Sequence, residues 1–181
     1  NVSPTVTLTD TDSDNIVSSS DVVTMTATFS ESMAAIPTLS LSGIITNTEM
    51  TATASASVWT YAWTVSTTVT STTATVSGID LSGNAYTGTD SITFTIDNSV
   101  PTVILTDTDS DNIVAGANLV TITATFSEAM AVTPTINITG EVSNVAMTAS
   151  STADVWIYPW TVSTTTSGIV TATVSGTDLS G

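Results

Sequence analysis

Ten landmark residues of this chain occur twice, and the interval between the copies is constant. Pro4, Asp10, Phe29, Glu31, Met33, Pro37, Gly43, Trp59, Tyr61 and Trp63 recur 97 residues further on as Pro101, Asp107, Phe126, Glu128, Met130, Pro134, Gly140, Trp156, Tyr158 and Trp160. A period of that length, filled with alternating Val, Thr, Ile and Ala, is the size of one seven-stranded β-sandwich and too long for a solenoid turn, so each copy is expected to be a domain with its own core. The expected division is residues 1–98 and 99–181. Asp97-Asn98-Ser99-Val100-Pro101 is too short for an independent linker, so the domains are expected to abut. Near-copies have little reason to carry different active sites, and the repeat therefore argues for a length-building or surface-displaying role over catalysis.

Period-two alternation locates the strands. Val23, Met25, Ala27 and Phe29 interleave with Thr24, Thr26 and Thr28, a strand with its apolar residues inward and Thr outward. Val6 and Leu8 precede it; Leu39 and Leu41, then Met50, Ala52 and Ala54, then Trp59 to Val65, then Ala74 and Val76, then Ile92, Phe94 and Ile96 follow. Seven strands of this spacing predict an all-β, immunoglobulin-like Greek-key sandwich. The second copy repeats the series through Val120, Ile122, Ala124, Phe126, Ile136, Ile138, Met147, Val170, Ala172 and Val174, and reaches Gly181 before any seventh strand. Two readings follow for that edge: the array continues, or the edge accepts a strand from another molecule. Pro159, standing where the first copy has Ala62, is expected at a bulge or on an unpaired side of its strand.

The chain has no Lys, Arg, His or Cys, against sixteen Asp plus Glu, for a net charge of −16. Disulfides, thiolate or imidazole metal sites, Ser-His-Asp and Cys-His nucleophiles, Schiff bases and cationic phosphate clamps are all excluded. Nucleic acid and anionic lipid are the wrong partners for an uncompensated polyanion. No apolar run reaches the length of a membrane span, so no direct membrane insertion is expected. A Cys-free, Thr/Ser-rich acidic chain suits the cell exterior in salty, calcium-containing water. Asn1-Val2-Ser3 and Asn137-Ile138-Thr139 are glycosylation sequons.

Charge concentrates in Asp10-Thr11-Asp12-Ser13-Asp14-Asn15 and its copy Asp107-Thr108-Asp109-Ser110-Asp111-Asn112. Carboxylates at alternate positions are similar to the first half of a Ca²⁺ loop, whose first, third and fifth side chains converge on one ion, and Asp21 falls at the twelfth position. Asn in place of the turn Gly, Asp21 in place of Glu, and neutral Asn118 as its counterpart separate it from an EF-hand. The alternative is a solvated, Asx-rich turn. Mutual repulsion with no cation in the chain to relieve it favours Ca²⁺. In a sandwich of this order the cluster is expected at one pole near Asp97, facing Glu128 and Asp178 of the next domain. The candidate metal ligands are thus Asp10, Asp12, Asp14, Asp97, Asp107, Asp109, Asp111, Glu128 and Asp178. Glu31 and Asp80 are expected at the opposite pole of the first domain. No carboxylate pair is set apart as acid and base, and no enzyme is expected.

Phe29-Ser30-Glu31 with Phe126-Ser127-Glu128, Asp80-Leu81-Ser82-Gly83-Asn84, and Ile96-Asp97-Asn98 ahead of Val100-Pro101 resemble the signature of bacterial immunoglobulin-like tandem repeats found in large secreted surface adhesins, across essentially the whole chain. Similar repeats occur in surface-layer and filament proteins. The resemblance implies an extracellular, calcium-stiffened stalk that contacts neighbouring repeats of its own polypeptide, with self-association into a filament or layer, by strand complementation among other routes.

Trp59, Tyr61 and Trp63, with Trp156, Tyr158 and Trp160, are spaced by two and share one strand face. Turned outward they would form a platform for stacking glycans, making a carbohydrate-binding module the alternative function; turned inward they are core. The Val, Ala and Met of the remaining strands need bulky filler, which favours the core.

Overall fold

The computed structural model describes residues 2–66 and 69–181, and it is all-β. The chain divides into two compact units, Asn1–Asn98 and Ser99–Gly181. Unit 1 contains β1 (Val6–Thr9), β2 (Ile16–Val17), β3 (Val22–Phe29), β4 (Thr38–Leu41), β5 (Ile45–Glu49), β6 (Thr51–Ala52), β7 (Val58–Thr64), β8 (Ser71–Ser77) and β9 (Ser91–Ile96). One sheet has the order β1-β3-β7-β6 and the other β2-β9-β8-β4-β5. Every pairing is antiparallel except that of β2 with β9. Unit 2 contains β10 (Val103–Asp107), β11 (Leu119–Phe126), β12 (Thr135–Ile138), β13 (Val142–Ala146), β14 (Thr148–Ala149), β15 (Val155–Thr161) and β16 (Ala172–Ser175), in sheets β10-β11-β15-β14 and β13-β12-β16.

Alternation explains the layering. In β3 the inward set Val23, Met25, Ala27 and Phe29 is buried, and it meets Leu39, Leu41, Ala74, Val76, Phe94 and Ile96 of the facing sheet in one core. Val120, Ile122, Ala124 and Phe126 play the same part in unit 2 against Ile136 and Ile138. Each fully buried Leu, Ile or Phe contributes about 1.5–3 kcal/mol relative to exposure. Outward Thr residues bond across strands instead, as in Thr73 with Thr93 at 3.1 Å between their hydroxyl oxygens.

Two expectations change in detail. Met50 is buried between β5 and β6, and Ala54 is exposed beyond β6, so the fourth expected strand is two residues long and is preceded by an additional one, β5. The first strand is split: β1 pairs with β3, whereas β2 crosses to the other sheet and runs parallel to β9.

Pro159 lies in an unbroken register with β11, opposite Thr121. The Thr121 N–H donates to Thr108 Oγ1 on the β10 side, so this is a non-hydrogen-bonded pair with β15, and the proline nitrogen points away from β11. On its other side β14 reaches only Trp156 and Ile157. The missing N–H therefore removes no ladder bond, and no bulge is needed.

Candidate functional site

The first acidic cluster lies on the crossover that takes the split first strand of unit 1 from one sheet to the other, and its copy in unit 2 begins at Asp107, the last residue of β10. The first cluster is not on the polar turn: Ser18–Asp21 makes that turn, with the Ser18 N–H donating to Asp21 Oδ2 at 2.7 Å, while the Thr24 N–H donates to Thr11 Oγ1 at 3.0 Å and holds the cluster alongside β3. This corrects the expected position at a pole. Asp97 follows β9, where its N–H donates to the Val17 carbonyl at 2.9 Å, placing it beside the polar turn and beyond the Asp10–Asp14 crossover. The adjacent Asn98 Oδ1 accepts the Ser19 N–H at 2.7 Å.

Within the crossover each carboxylate turns back onto the chain. Asp10 Oδ1 accepts the Asp12 N–H at 2.8 Å, Asp12 Oδ1 accepts the N–H groups of Asp14 and Asn15, and Asp14 Oδ1 accepts the Ile16 N–H at 3.1 Å. Asp107, Asp109 and Asp111 repeat the ladder onto the amides of Asp109, Asp111 and Ile113 at 2.8, 3.2 and 3.0 Å. These are successive Asx turns, and Asn15 and Asn112 close them in the left-handed region, with φ of 62° and 59°. Burial pushes the Asp10 carboxyl above its ordinary value; the Asp12 amide opposes this and the Asp12 charge adds to it. The Asp111 amide holds the Asp109 carboxyl below its ordinary value.

The donor chemistry suits a hard cation, since only oxygen ligands are on offer. In unit 1 the Asn15 Oδ1 atom is buried with no hydrogen-bond partner, an acceptor that an ion or a water would satisfy. Among the described residues, however, no three acidic side chains converge on one point. The loops hold their shape through their own amides, and a cation would have to engage the outer oxygens.

Asp80 and Asp178 are buried organisers of their own loops. Asp80 Oδ1 accepts the N–H groups of Ser82 and Asn84, each at 2.8 Å, and Oδ2 accepts Asn84 Nδ2–H at 2.8 Å. The Asn84 side-chain amide, with help from those backbone groups, holds the Asp80 carboxyl below its ordinary value. Asp178 Oδ1 accepts from the Ser180 N–H, the Ser180 hydroxyl and the Gly181 N–H at 2.9, 2.8 and 3.0 Å. Each also bridges to a methionine of the Phe-Ser-Glu-x-Met segment, Asp80 to Met33 and Asp178 to Met130. The Phe and Met of that segment close on a glycine: a Cβ built at Gly78 would stand 3.0 Å from Met33 Sδ and 3.2 Å from Phe29 Cζ, and one at Gly176 2.9 Å from Met130 Sδ and 3.3 Å from Phe126 Cζ. Glu31 and Glu128 are half-buried in the same segments.

The aromatic stripe faces inward. Trp59, Trp63 and Trp160 are buried, and Tyr61, Trp156 and Tyr158 pack against the cores. Trp63 tilts at 60° to Phe94 with ring centroids 5.6 Å apart. The outward face of β7 carries Thr60, Ala62 and Thr64, and Tyr61, Trp156 and Tyr158 are half-buried. Trp59 Nε1 and Trp156 Nε1, equivalent atoms of the two units, are buried without a partner.

One carboxylate that belongs to no sequence motif makes structural contacts in unit 2. Glu141 replaces Ile44 of the first copy, and its Oε2 accepts the Trp160 Nε1–H at 2.7 Å and the Ser163 N–H at 3.1 Å. The only signal in the sequence is an acid standing where the other copy has an aliphatic residue. Asn137, the second sequon, has its amide engaged with Asn144: Oδ1 accepts the Asn144 N–H at 2.9 Å and Nδ2 donates to Asn144 Oδ1 at 3.2 Å, a pairing that a glycan on Nδ2 would disturb. Asn1, the acceptor of the other sequon, lies outside the described residues. Compared with known proteins, the chain matches no family model and no curated protein.

Proposed function

We propose that the chain is a pair of immunoglobulin-like structural repeats from an extracellular surface protein, in which each unit serves as a load-bearing spacer of a stalk, filament or layer. The observation that carries this reading is what the two copies share. Their common carboxylates and aromatics are spent on folding: Asp80 and Asp178 organise loops, Asp10 to Asp14 and Asp107 to Asp111 form turn ladders, and the Trp stripe fills the core. Retention of these features in tandem favours repetition of a scaffold over repetition of a catalyst. The strand order β1-β3-β7-β6 against β2-β9-β8-β4-β5, with the first strand shared between sheets, supports the immunoglobulin-like assignment. The absence of Lys, Arg and Cys from a chain of net charge −16 supports an exterior setting.

Calcium is the second part of the proposal. Sixteen acidic groups with no internal cation repel one another, and divalent ions on the outer oxygens of the acidic loops, with Asn15 Oδ1 in unit 1, would relieve that repulsion and stiffen both units. Thermal unfolding of the chain in calcium and in chelator tests this. A binder of the folded state present at about a thousand times its dissociation constant adds roughly 4 kcal/mol per site, so a calcium-specific rise in both midpoints is expected. Equal midpoints in calcium, magnesium and chelator would remove calcium and leave the acidic loops as turns.

A further inference from the structure

The sheet β10-β11-β15-β14 of unit 2 turns Val120, Ile122, Ala124 and Phe126 into the core, so Leu119, Thr121, Thr123 and Thr125 of β11 face outward. The register sets Ile104 beside Thr125, Ile157 beside Thr123 and Pro159 beside Thr121 on that same outer face. In unit 1 the face belongs to the sheet β1-β3-β7-β6, where Thr7, Val22, Thr60 and Ala62 hold the places of Ile104, Leu119, Ile157 and Pro159. Thr24, Thr26 and Thr28 return unchanged as Thr121, Thr123 and Thr125. Every change on this face therefore enlarges an apolar side chain or puts one in place of a hydroxyl, and none introduces a charge.

The enlarged side chains are open to contact. Ile104 is 68% exposed and Leu119 66%, Pro159 is exposed with them, and Ile157 is half-buried. Among the described residues, no outward position of this sheet holds Asp or Glu: Asp107 ends β10 but stands opposite the core residue Ile122, on the inward side. Charge selects the occupant of such a face. A positively charged partner is drawn to the acidic loops and not to a neutral sheet. Sugar rings stack on aromatic rings, and the outward positions have none. A second copy of this chain, itself at −16, is repelled wherever acids meet and approaches closely only over an uncharged, apolar surface. The matching face of unit 1 is equally neutral, but its hydroxyls gain little by leaving water.

We propose that this outer face of unit 2 pairs with the same face of a second copy of the chain, sheet on sheet, about a two-fold axis. Four strands' width by the length of β11 covers on the order of 400 Å² per partner, about half of what a standard interface buries. Pairing of single chains is therefore weak, with a dissociation constant of roughly 0.1–1 mM. Copies held side by side by further contacts pair more strongly through effective concentration. Salt strengthens the pairing, because it screens the acids that lie outside the contact. The inference rests on the filament or layer reading for its setting, while its test reads pairing alone, so a failed test leaves the calcium and spacer readings standing.

The test is sedimentation equilibrium of the whole chain at up to about 1 mM, in chelator so that calcium cannot bridge acids, at roughly 0.01 M and 0.5 M salt. Expected are a monomer–dimer equilibrium that tightens with salt and, on dilution, amide shift changes at Thr121, Thr123 and Thr125. Ile104→Thr combined with Ile157→Thr restores the residues of unit 1, which folds with Thr7 and Thr60 at these places, and should weaken pairing at least about tenfold. Thr123→Asp sets like charges face to face and should weaken it as much, whereas Thr26→Asp, the same change in unit 1, should leave it unchanged. Melting midpoints of the variants confirm that each is folded. A monomer under all conditions, dimers indifferent to the unit 2 variants, or equal loss with Thr26→Asp would each overturn the proposal.

Discussion

Glu141 accepts the indole N–H of Trp160 at 2.7 Å, in a position where the first unit has Ile44. Burial pushes the Glu141 carboxyl up, but the Ser163 amide, the Thr166 hydroxyl and the Trp160 N–H more than offset this and hold it below its ordinary value of 4.5. A carboxyl with a depressed folded-state pKa stabilises the fold fully above the unfolded-state value and loses that contribution as pH falls through the folded-state value. Unit 2 is therefore expected to lose stability below about pH 4.5 through this group, and Glu141→Gln should flatten that dependence and lower the melting midpoint at neutral pH by several degrees. Near-ultraviolet circular dichroism of wild type and variant from pH 7 to pH 3 measures the difference.

The Phe-Ser-Glu-x-Met segments close on Gly78 and Gly176 so tightly that a methyl group there would require the Met and Phe side chains to shift by a few tenths of an ångström. Gly78→Ala and Gly176→Ala should each destabilise their own unit by about 1–3 kcal/mol, the usual range for overpacking a filled core. Denaturant unfolding of the two variants should show two separate transitions, each variant shifting one of them.

Trp59 and Trp63 share a strand face but should respond differently to mutation. The Trp59 N–H is buried without a partner, so Trp59→Phe removes an orphan donor along with some volume and should cost less than about 1 kcal/mol. Trp63→Ala empties the space against Phe94 and should cost about 3–5 kcal/mol. Equal costs in chemical denaturation would show that the orphan N–H has a partner in solution.

Asp80 holds its loop through Ser82 and Asn84. Its carboxyl lies below the ordinary 3.8, chiefly because of the Asn84 side chain, so its contribution is present above that value and lost as pH falls below it. Asp80→Ala should release the Ser82 and Asn84 amides to fast hydrogen exchange at neutral pH while the β3–β7 amides stay protected.

Much of the fold was legible because β3, β7, β8 and their copies alternate apolar and Thr residues with period two, a signal that survives without tertiary context. β5 was not legible: Ile45-Thr46-Asn47-Thr48-Glu49 is half or fully exposed and carries no alternation. β2 is two residues long, and its pairing with β9 depends on residues some eighty positions away. The same split strand explains why the acidic cluster was expected at a pole; the crossover is visible only once Thr11 is placed against Thr24. The Trp stripe was readable as core from composition. The Glu141–Trp160 bond was not, because it joins a hairpin turn to a strand through tertiary packing alone.

Whether the repeats bear load is read by pulling single molecules by their ends, in calcium and in chelator. Two discrete unfolding events are expected, each releasing roughly 30 nm of chain as about ninety residues extend, at forces that rise when calcium is present. Gradual extension at low force without discrete events, in either solution, would contradict the spacer reading.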